Sequence, residues 1–305
     1  MKKYLLLCTA LTVASSAYAA LDCATPLTCA EWGFTMSTDD CAGKFVLRCP
    51  REPNNDNAVF CEKEKTCEEG GYLSAKPSEA YTCEEVTFGN KGCYTNCYCP
   101  VGSILYNNLK CYTSNDAPAI SYPIAVVFDA TNKLAIGLEN ADTLLTWAAN
   151  TSENVSSLSD YTTSSAALAE TTTGKQNTTR IVALGGNYAS SSYAPGYCYN
   201  LTTGGQAKGS WFLPNLKELK AIYDNKTTLN TAFTSTGGTA LAENTYWTST
   251  EYNANNAWIL VMSNGHMSGN GKNMYNFIRC ALSYSEDNAS TDSTEGDSAF
   301  TGPNL

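Results

Sequence analysis

The stretch Trp211-Phe212-Leu213-Pro214-Asn215-Leu216-Lys217-Glu218-Leu219 predicts the entry into a helix that packs on a core. Asn215 is a favourable N-cap residue, and Glu218 three positions later completes a capping box, in which each of the two side chains accepts a hydrogen bond from the other residue's backbone N–H. Apolar side chains then recur at helical spacing, at Leu216, Leu219, Ile222 and Tyr223. One face of this helix is therefore expected to be buried.

Short apolar segments on both sides of this helix predict strands. Residues 124–128 and 134–138 flank the turn 129–132 and read as an antiparallel hairpin. Residues 246–250 and 257–262 are two further strand-like pieces, and 277–284 is expected to close the domain as its last strand. The Gly- and Asn-rich segment 263–276 has no hydrophobic period, so an exposed irregular loop is expected there.

Several motifs that follow one another along the chain resemble a known family. They are the quoted stretch 211–219, then Tyr246-Trp247-Thr248-Ser249-Thr250-Glu251-Tyr252, Asn256-Ala257-Trp258, Asn264-Gly265 and Ile278-Arg279-Cys280. In this order they look like the C-terminal domain of the Legionella collagen-like adhesin, over about residues 120 to 284. That family is similar to the variable proteins of diversity-generating retroelements and to formylglycine-generating-enzyme-type domains.

The resemblance implies a fold class and one covalent link. The fold is α+β and C-type-lectin-like, with short antiparallel strands, one or two helices, and pairing between the N-terminal and C-terminal strands. The family's two cysteines match Cys198 and Cys280, so the resemblance implies a disulfide between them.

The N-terminus has the layout of an export signal. Two lysines precede an apolar stretch and the small-x-small sequence Ala17-Tyr18-Ala19, so residues 1–19 are predicted to be a signal peptide. Export leads to an oxidising compartment, where cysteines pair into disulfides. We therefore expect a secreted or cell-surface protein of a bacterium.

Residues 20–116 are predicted to be a disulfide-rich module built from a repeat. The sequence starting at Thr28-Cys29 recurs 38 residues later at Thr66-Cys67, and 11 of the 14 cysteines lie in this segment. Because 11 is odd, Cys23 is either free or paired with another chain or with the second domain, which allows disulfide-linked self-association. The sequence leaves the connectivity of the module open.

The second domain is predicted at 117–284, and an acidic, disordered tail at 285–305. Residues 117–284 carry nine basic and ten acidic side chains, whereas the whole chain has a net charge of −10. The acidity and the lack of basic clusters argue against nucleic acid, and no apolar run beyond the N-terminus is long enough for an integral membrane span. A near-neutral domain favours a neutral ligand over a polyanion.

No catalytic, metal or cofactor site is expected. His266 is the single histidine of the chain and has no serine or cysteine partner in sequence. Cys198 and Cys280 look structural, which argues against a formylglycine-generating activity. After Asp224 the only carboxylates of the domain are Glu243 and Glu251, too few for a calcium site.

The polar loops 252–276 are the predicted ligand-binding region. Amide and aromatic side chains there supply adaptable hydrogen bonds and rigid contact area. The candidate residues are Asn253, Asn255, Asn256, Trp258, Asn264, His266, Asn270, Asn273, Tyr275 and Asn276.

The sequence therefore predicts an exported, adhesin-like, non-catalytic protein that binds a glycan or a host or cell-surface protein. One alternative is a structural or assembly subunit cross-linked through the cysteine-rich module. Another is a receptor-binding protein diversified by a retroelement, because members of that related group vary at asparagine-rich positions near the C-terminus of this fold.

Overall fold

The computed structural model describes residues 66–88, 91–149 and 154–285, together with the backbone of three short strands that precede them. The predictions about the signal peptide, Cys23, the first cysteine repeat and the tail beyond residue 285 lie outside the described residues. The chain divides into two compact units. Of the described residues, one unit holds those up to 74 and 85–95, and the other holds 75–84 and 96–285.

The first unit contains a small antiparallel sheet of β1 (Met36–Thr38), β2 (Phe45–Leu47) and β3 (Val59–Glu62) in the order β1-β3-β2. A 3-10 turn at Glu68–Gly70 follows. Next to this turn, a disulfide joins Cys67 to Cys93 within the same unit.

The second half of the cysteine-rich segment contributes to both units. Strands β4 (Thr82–Phe88) and β5 (Lys91–Tyr98) form a two-stranded sheet. Within the second unit, disulfides join Cys83 to Cys97 and Cys99 to Cys111. The two bridges settle part of the connectivity that the sequence left open.

A five-stranded antiparallel sheet forms the base of the second unit, in the order β6-β7-β8-β13-β9. Its strands are β6 (Ile104–Tyr106), β7 (Pro123–Asp129), β8 (Leu134–Gly137), β9 (Trp211–Phe212) and β13 (Ala281–Ser283). The β7–β8 hairpin lies where the sequence predicts it, and β8 near the start pairs with β13 at the end. Since β6 pairs with β7, the sheet begins ahead of the expected domain start at 117.

A second, three-stranded sheet consists of β10 (Thr245–Asn253), β11 (Asn256–Val261) and β12 (Met267–Gly271) in chain order. The expectation of an irregular loop over 263–276 is wrong for its centre, because β12 pairs with β11 along its whole length. A glycine suits this edge strand, since a Cβ at Gly269 would lie 2.9 Å from the ring of Tyr252.

The described residues include five α-helices, more than the one or two expected. They are α1 (Ser164–Leu168), α2 (Gly174–Val182), α3 (Ala194–Asn200), α4 (Leu216–Asp224) and α5 (Lys226–Ser235). The predicted capping box of α4 is present, with both bonds between Asn215 and Glu218 formed. Among the described residues, no helix has the length and hydropathy that crossing a membrane requires.

In the second unit, an apolar core is built from α1, α4, α5, the five-stranded sheet and the three-stranded sheet. The predicted face of α4 contributes Leu216, Leu219 and Ile222, all at most 1% exposed. They belong to the same cluster as Phe128 of the five-stranded sheet and Trp258 of the three-stranded sheet. The structure is thus of the α+β class with antiparallel sheets, few helices and disulfide-rich segments.

Candidate functional site

Six of the ten predicted ligand-binding residues lie at one end of the three-stranded sheet. Register brings four of them together, because Asn256 pairs with both Asn253 and Gly271, and the Lys272 amide donates to the Asn255 carbonyl at 3.0 Å. Asn273 and Tyr275 follow Lys272 directly along the chain. Together with the exposed Met274, these six residues form what we call the tip surface. Its members are Asn253, Asn255, Asn256, Asn270, Asn273, Met274 and Tyr275.

Two predicted residues lie at the opposite end of the same sheet. Asn264 and His266 belong to the β11–β12 turn, where the Asn264 side chain accepts from the His266 amide at 2.9 Å. Five residue steps along β11 separate this turn from the tip surface, about 17 Å of extended chain. The two groups therefore cannot contact one small ligand together.

The remaining two predicted residues lie beneath the surface. Trp258 is 3% exposed, its Nε1 donates to the Tyr161 carbonyl at 2.6 Å, and its ring packs on Tyr252. Asn276 is 7% exposed and exchanges backbone bonds with Leu145. Trp258 and Asn276 are therefore buried and take no part in the exposed area of the tip surface.

Local hydrogen bonds decide which side chains of the tip surface remain available. The Asn253 side-chain oxygen accepts from the backbone amides of Asn255 and Asn256 and from the Asn256 side chain, at 2.9 to 3.0 Å, so it shapes the β10–β11 turn. Asn270 similarly accepts from the Gly271 amide at 3.0 Å.

Three exposed side chains of the tip surface make no hydrogen bond within the part of the chain that the structure describes: Asn255, Asn273 and Tyr275. Tyr275 is 69% exposed and is flanked by Met274 at 51%. Two free amides, together with the exposed aromatic and thioether groups of this surface, can offer both hydrogen bonds and apolar contact area to a ligand.

A buried ion pair fixes the base of the tip surface. The Lys272 ammonium binds the Glu251 carboxylate, both side chains are fully buried, and the ammonium lies 4.7 Å from the centre of the Trp147 ring. Glu251 also accepts from the Val155 amide at 3.1 Å. Burial raises the pKa of Glu251, and the bond to Lys272 opposes this rise.

The sequence analysis did not identify this pair, although a signal was present. Lys272 is the only lysine or arginine between Lys226 and Arg279, and Glu251 is the last carboxylate before the tail. Two isolated opposite charges in an otherwise neutral segment are candidates for an ion pair with each other.

A second buried polar cluster lies inside the core and joins α2, α4 and β10. The Glu218 carboxylate accepts from the amides of Gly174 and Asn215 at 3.0 and 2.9 Å. Burial raises the pKa of Glu218 to about 7, and the nearby charge of Glu170 adds to the rise. Glu170 in turn accepts from the Thr250 hydroxyl at 2.7 Å.

This cluster has the character of a structural network. Its side chains are at most 7% exposed and are occupied by internal hydrogen bonds. Within the described ranges, no group of three or more histidine, cysteine or acidic side chains is placed to hold a metal ion.

The disulfide that the family resemblance implies is present. Cys198 of α3 and Cys280, directly before β13, are bonded with a Cα–Cα distance of 5.4 Å. Both residues are buried, so the bridge ties the helical side of the unit to its central sheet.

Comparison with known proteins gives one family match. Residues 138–281 match the family described as the Lcl C-terminal domain, which confirms the resemblance drawn from the motifs. No curated protein shows a significant match to the chain.

Among solved structures, a fimbrial protein from Bacteroides ovatus ATCC 8483 is similar, with 14% identity and a TM-score of 0.47. The match covers 82% of this chain and 65% of that chain.

Proposed function

Because residues 138–281 match the Lcl C-terminal domain, we propose that the protein is an exported, adhesin-like surface protein. It acts without catalysis and binds a glycan or a cell-surface protein through the tip surface. The disulfides of the second unit agree with an extracellular or surface location, where such bonds form and persist.

The observation that carries the proposal is the convergence of two chain segments on one exposed patch. Residues 253–256 and 270–272 meet because β11 and β12 pair and the Lys272 amide donates to the Asn255 carbonyl, and the exposed side chains of Asn273, Met274 and Tyr275 follow directly along the chain. Surfaces that bind macromolecules use the same combination of rigid aromatic area and adaptable polar groups.

The tip surface is also held in place by buried contacts, which favours binding. Its base is fixed by the buried Glu251–Lys272 pair and by Trp147, whose indole N–H donates to the Thr248 carbonyl at 2.8 Å. A preorganised surface loses little conformational entropy on binding, so more of the contact energy appears as affinity.

Charge favours a neutral ligand. The tip surface consists of asparagine, methionine and tyrosine, and the nearest charges described, on Lys272 and Glu251, are buried and neutralise each other. A sulfated or otherwise polyanionic ligand would find no exposed cation there.

The test uses the full mature chain, with its disulfides intact, on arrays of glycans and of extracellular proteins. We expect binding to at least one neutral glycan or protein. Tyr275→Ala combined with Asn273→Ala should then weaken that binding by about 10- to 100-fold, as expected for the loss of a binding hot spot.

His266→Ala is the matched control, because His266 is an exposed residue at the other end of the same sheet. It should leave the affinity unchanged. Failure of the folded protein to bind any array component, or an equal loss of affinity in the control and in the double variant, would overturn the proposal.

A further inference from the structure

A cleft of about 250 Å³ opens in the second unit beside the central sheet, away from the residues of the tip surface. Its lining comes from the ends of β7 and β8, from α3 and the segment after it, from β9, and from the turn after α5. Pockets for drug-sized ligands usually measure about 300 to 1,000 Å³, so this cleft suits a single small ring.

Aromatic side chains form one part of the lining. Tyr197 is half-buried, and Trp211 is buried, with its indole N–H bonded to the Thr203 carbonyl at 3.1 Å. Gly137 allows the Trp211 ring to pack closely on β8, because a Cβ there would lie 3.2 Å from the Cys280 carbonyl oxygen and 3.3 Å from the Trp211 ring. The Tyr197 ring is the accessible aromatic wall and can pack against the C–H face of a saturated ring, whereas the Trp211 ring, 1% exposed, lies behind the accessible surface of the lining.

Hydrogen-bonding groups without internal partners line the same cleft. Within the described ranges the Tyr197 hydroxyl makes no hydrogen bond, and burial, with a smaller contribution from Asp142, raises the pKa of this phenol. Tyr197 therefore stays protonated and can donate at neutral pH. Glu139 uses one carboxylate oxygen to accept from the Thr239 hydroxyl and has the second oxygen available.

The amide of Asn140 is held in one orientation. Its oxygen accepts from the Tyr246 hydroxyl at 3.1 Å and lies 3.5 Å from a donor nitrogen of the buried Arg279. The Asn140 NH₂ group makes no hydrogen bond in the part of the chain described and is left as a donor. Arg279 also bonds the carbonyls of Gly137 and Leu138, so it supports the cleft from below and is not among its lining residues.

We propose that this cleft binds one neutral sugar ring. A phenol, a carboxylate and an amide NH₂ beside the accessible Tyr197 ring match the vicinal hydroxyls and a C–H face of a sugar, and Glu139 disfavours an anionic one. The site goes beyond the proposed function, because the cleft shares no residue with the tip surface. A free sugar and the terminal residue of a glycan have the same chemistry here.

Saturation-transfer NMR on the full mature chain, with the methyl glycosides of neutral hexoses and N-acetylhexosamines, tests this site. We expect transfer to the ring protons of at least one glycoside. Tyr197→Phe and Glu139→Gln should each weaken its binding about tenfold, the effect of one lost hydrogen bond. Oligosaccharides that end in the same sugar then show whether a glycan terminus also enters.

Tyr199→Phe is the matched control, since it removes a hydroxyl from the same helix outside the lining of the cleft. The control and Tyr275→Ala should both keep the affinity for the sugar. The proposal is overturned if no neutral glycoside binds the folded protein, or if Tyr197→Phe binds as well as Tyr199→Phe. If Tyr275→Ala loses binding to the array ligand but keeps binding to the methyl glycoside, the tip surface and the cleft are separate sites.

Discussion

The buried pair beneath the tip surface allows a quantitative prediction for Lys272→Met. Methionine keeps the apolar stem of the side chain, but it leaves the Glu251 carboxylate fully buried without a cation. Removing one partner of a buried ion pair costs about 3 to 5 kcal/mol, because the remaining charge has lost its hydration and its counterion. The Val155 amide still donates to Glu251, which places the expected loss near the lower end, at about 3 kcal/mol.

The double variant Lys272→Met with Glu251→Gln distinguishes the cost of an unpaired buried charge from the cost of altered packing. With both charges removed, no ion remains buried, and most of the lost stability should return, to within about 1 kcal/mol of the wild type. Lys220→Met is the control, because Lys220 pairs with Asp224 on the surface of α4 and should contribute less than about 1 kcal/mol.

Urea denaturation of the disulfide-intact chain, followed by tryptophan fluorescence, measures these free energies of unfolding. The reasoning is refuted if Lys272→Met costs no more than Lys220→Met. It is also refuted if the losses of Lys272→Met and Glu251→Gln simply add in the double variant.

Further stability predictions concern the core of the second unit. Replacing Cys198 and Cys280 by serine opens an 82-residue loop and should lower the unfolding free energy by about 4 kcal/mol in the same urea assay. Gly174→Ala should cost about 1 to 3 kcal/mol, because its Cβ would lie 2.3 Å from a Glu218 oxygen and 2.7 Å from backbone atoms; a neutral result contradicts this packing. The raised pKa of Glu218, about 7 against 4.5, predicts stability that is present below pH 4.5 and lost as the pH rises through 7. The loss should amount to about 3 kcal/mol and be absent in Glu218→Gln; stability that instead rises over this window as Glu218 ionises would contradict it.

Local sequence signals were sufficient for several elements of the fold. The helix α4 follows from a capping box and an apolar face within nine residues, and the β7–β8 hairpin from two apolar runs around a polar turn. The same kind of signal was available for α2, where Thr173 and Gln176 form a second capping box. Each of these patterns depends on residues that are neighbours in sequence.

Elements that depend on distant partners could not be predicted in this way. The strand β12 has no hydrophobic period, and its position is set by backbone pairing with β11 and by the Tyr252 ring over Gly269. Without β12, the segment 263–276 reads as one loop, so the ten candidate residues seemed to form one group. The pairing separates His266 and Asn264 from the tip surface, and the bond from the Lys272 amide to the Asn255 carbonyl brings residue 272, which Asn273 follows, to Asn255.

Amide hydrogen exchange of the full chain, with and without the ligand found on the array, tests the central claim most directly. Binding at the tip surface predicts slower exchange in both segments 253–256 and 270–275, and unchanged exchange in the turn 263–266 at the other end of the sheet. Protection confined to 263–266, or to residues outside both tip segments, would contradict the account.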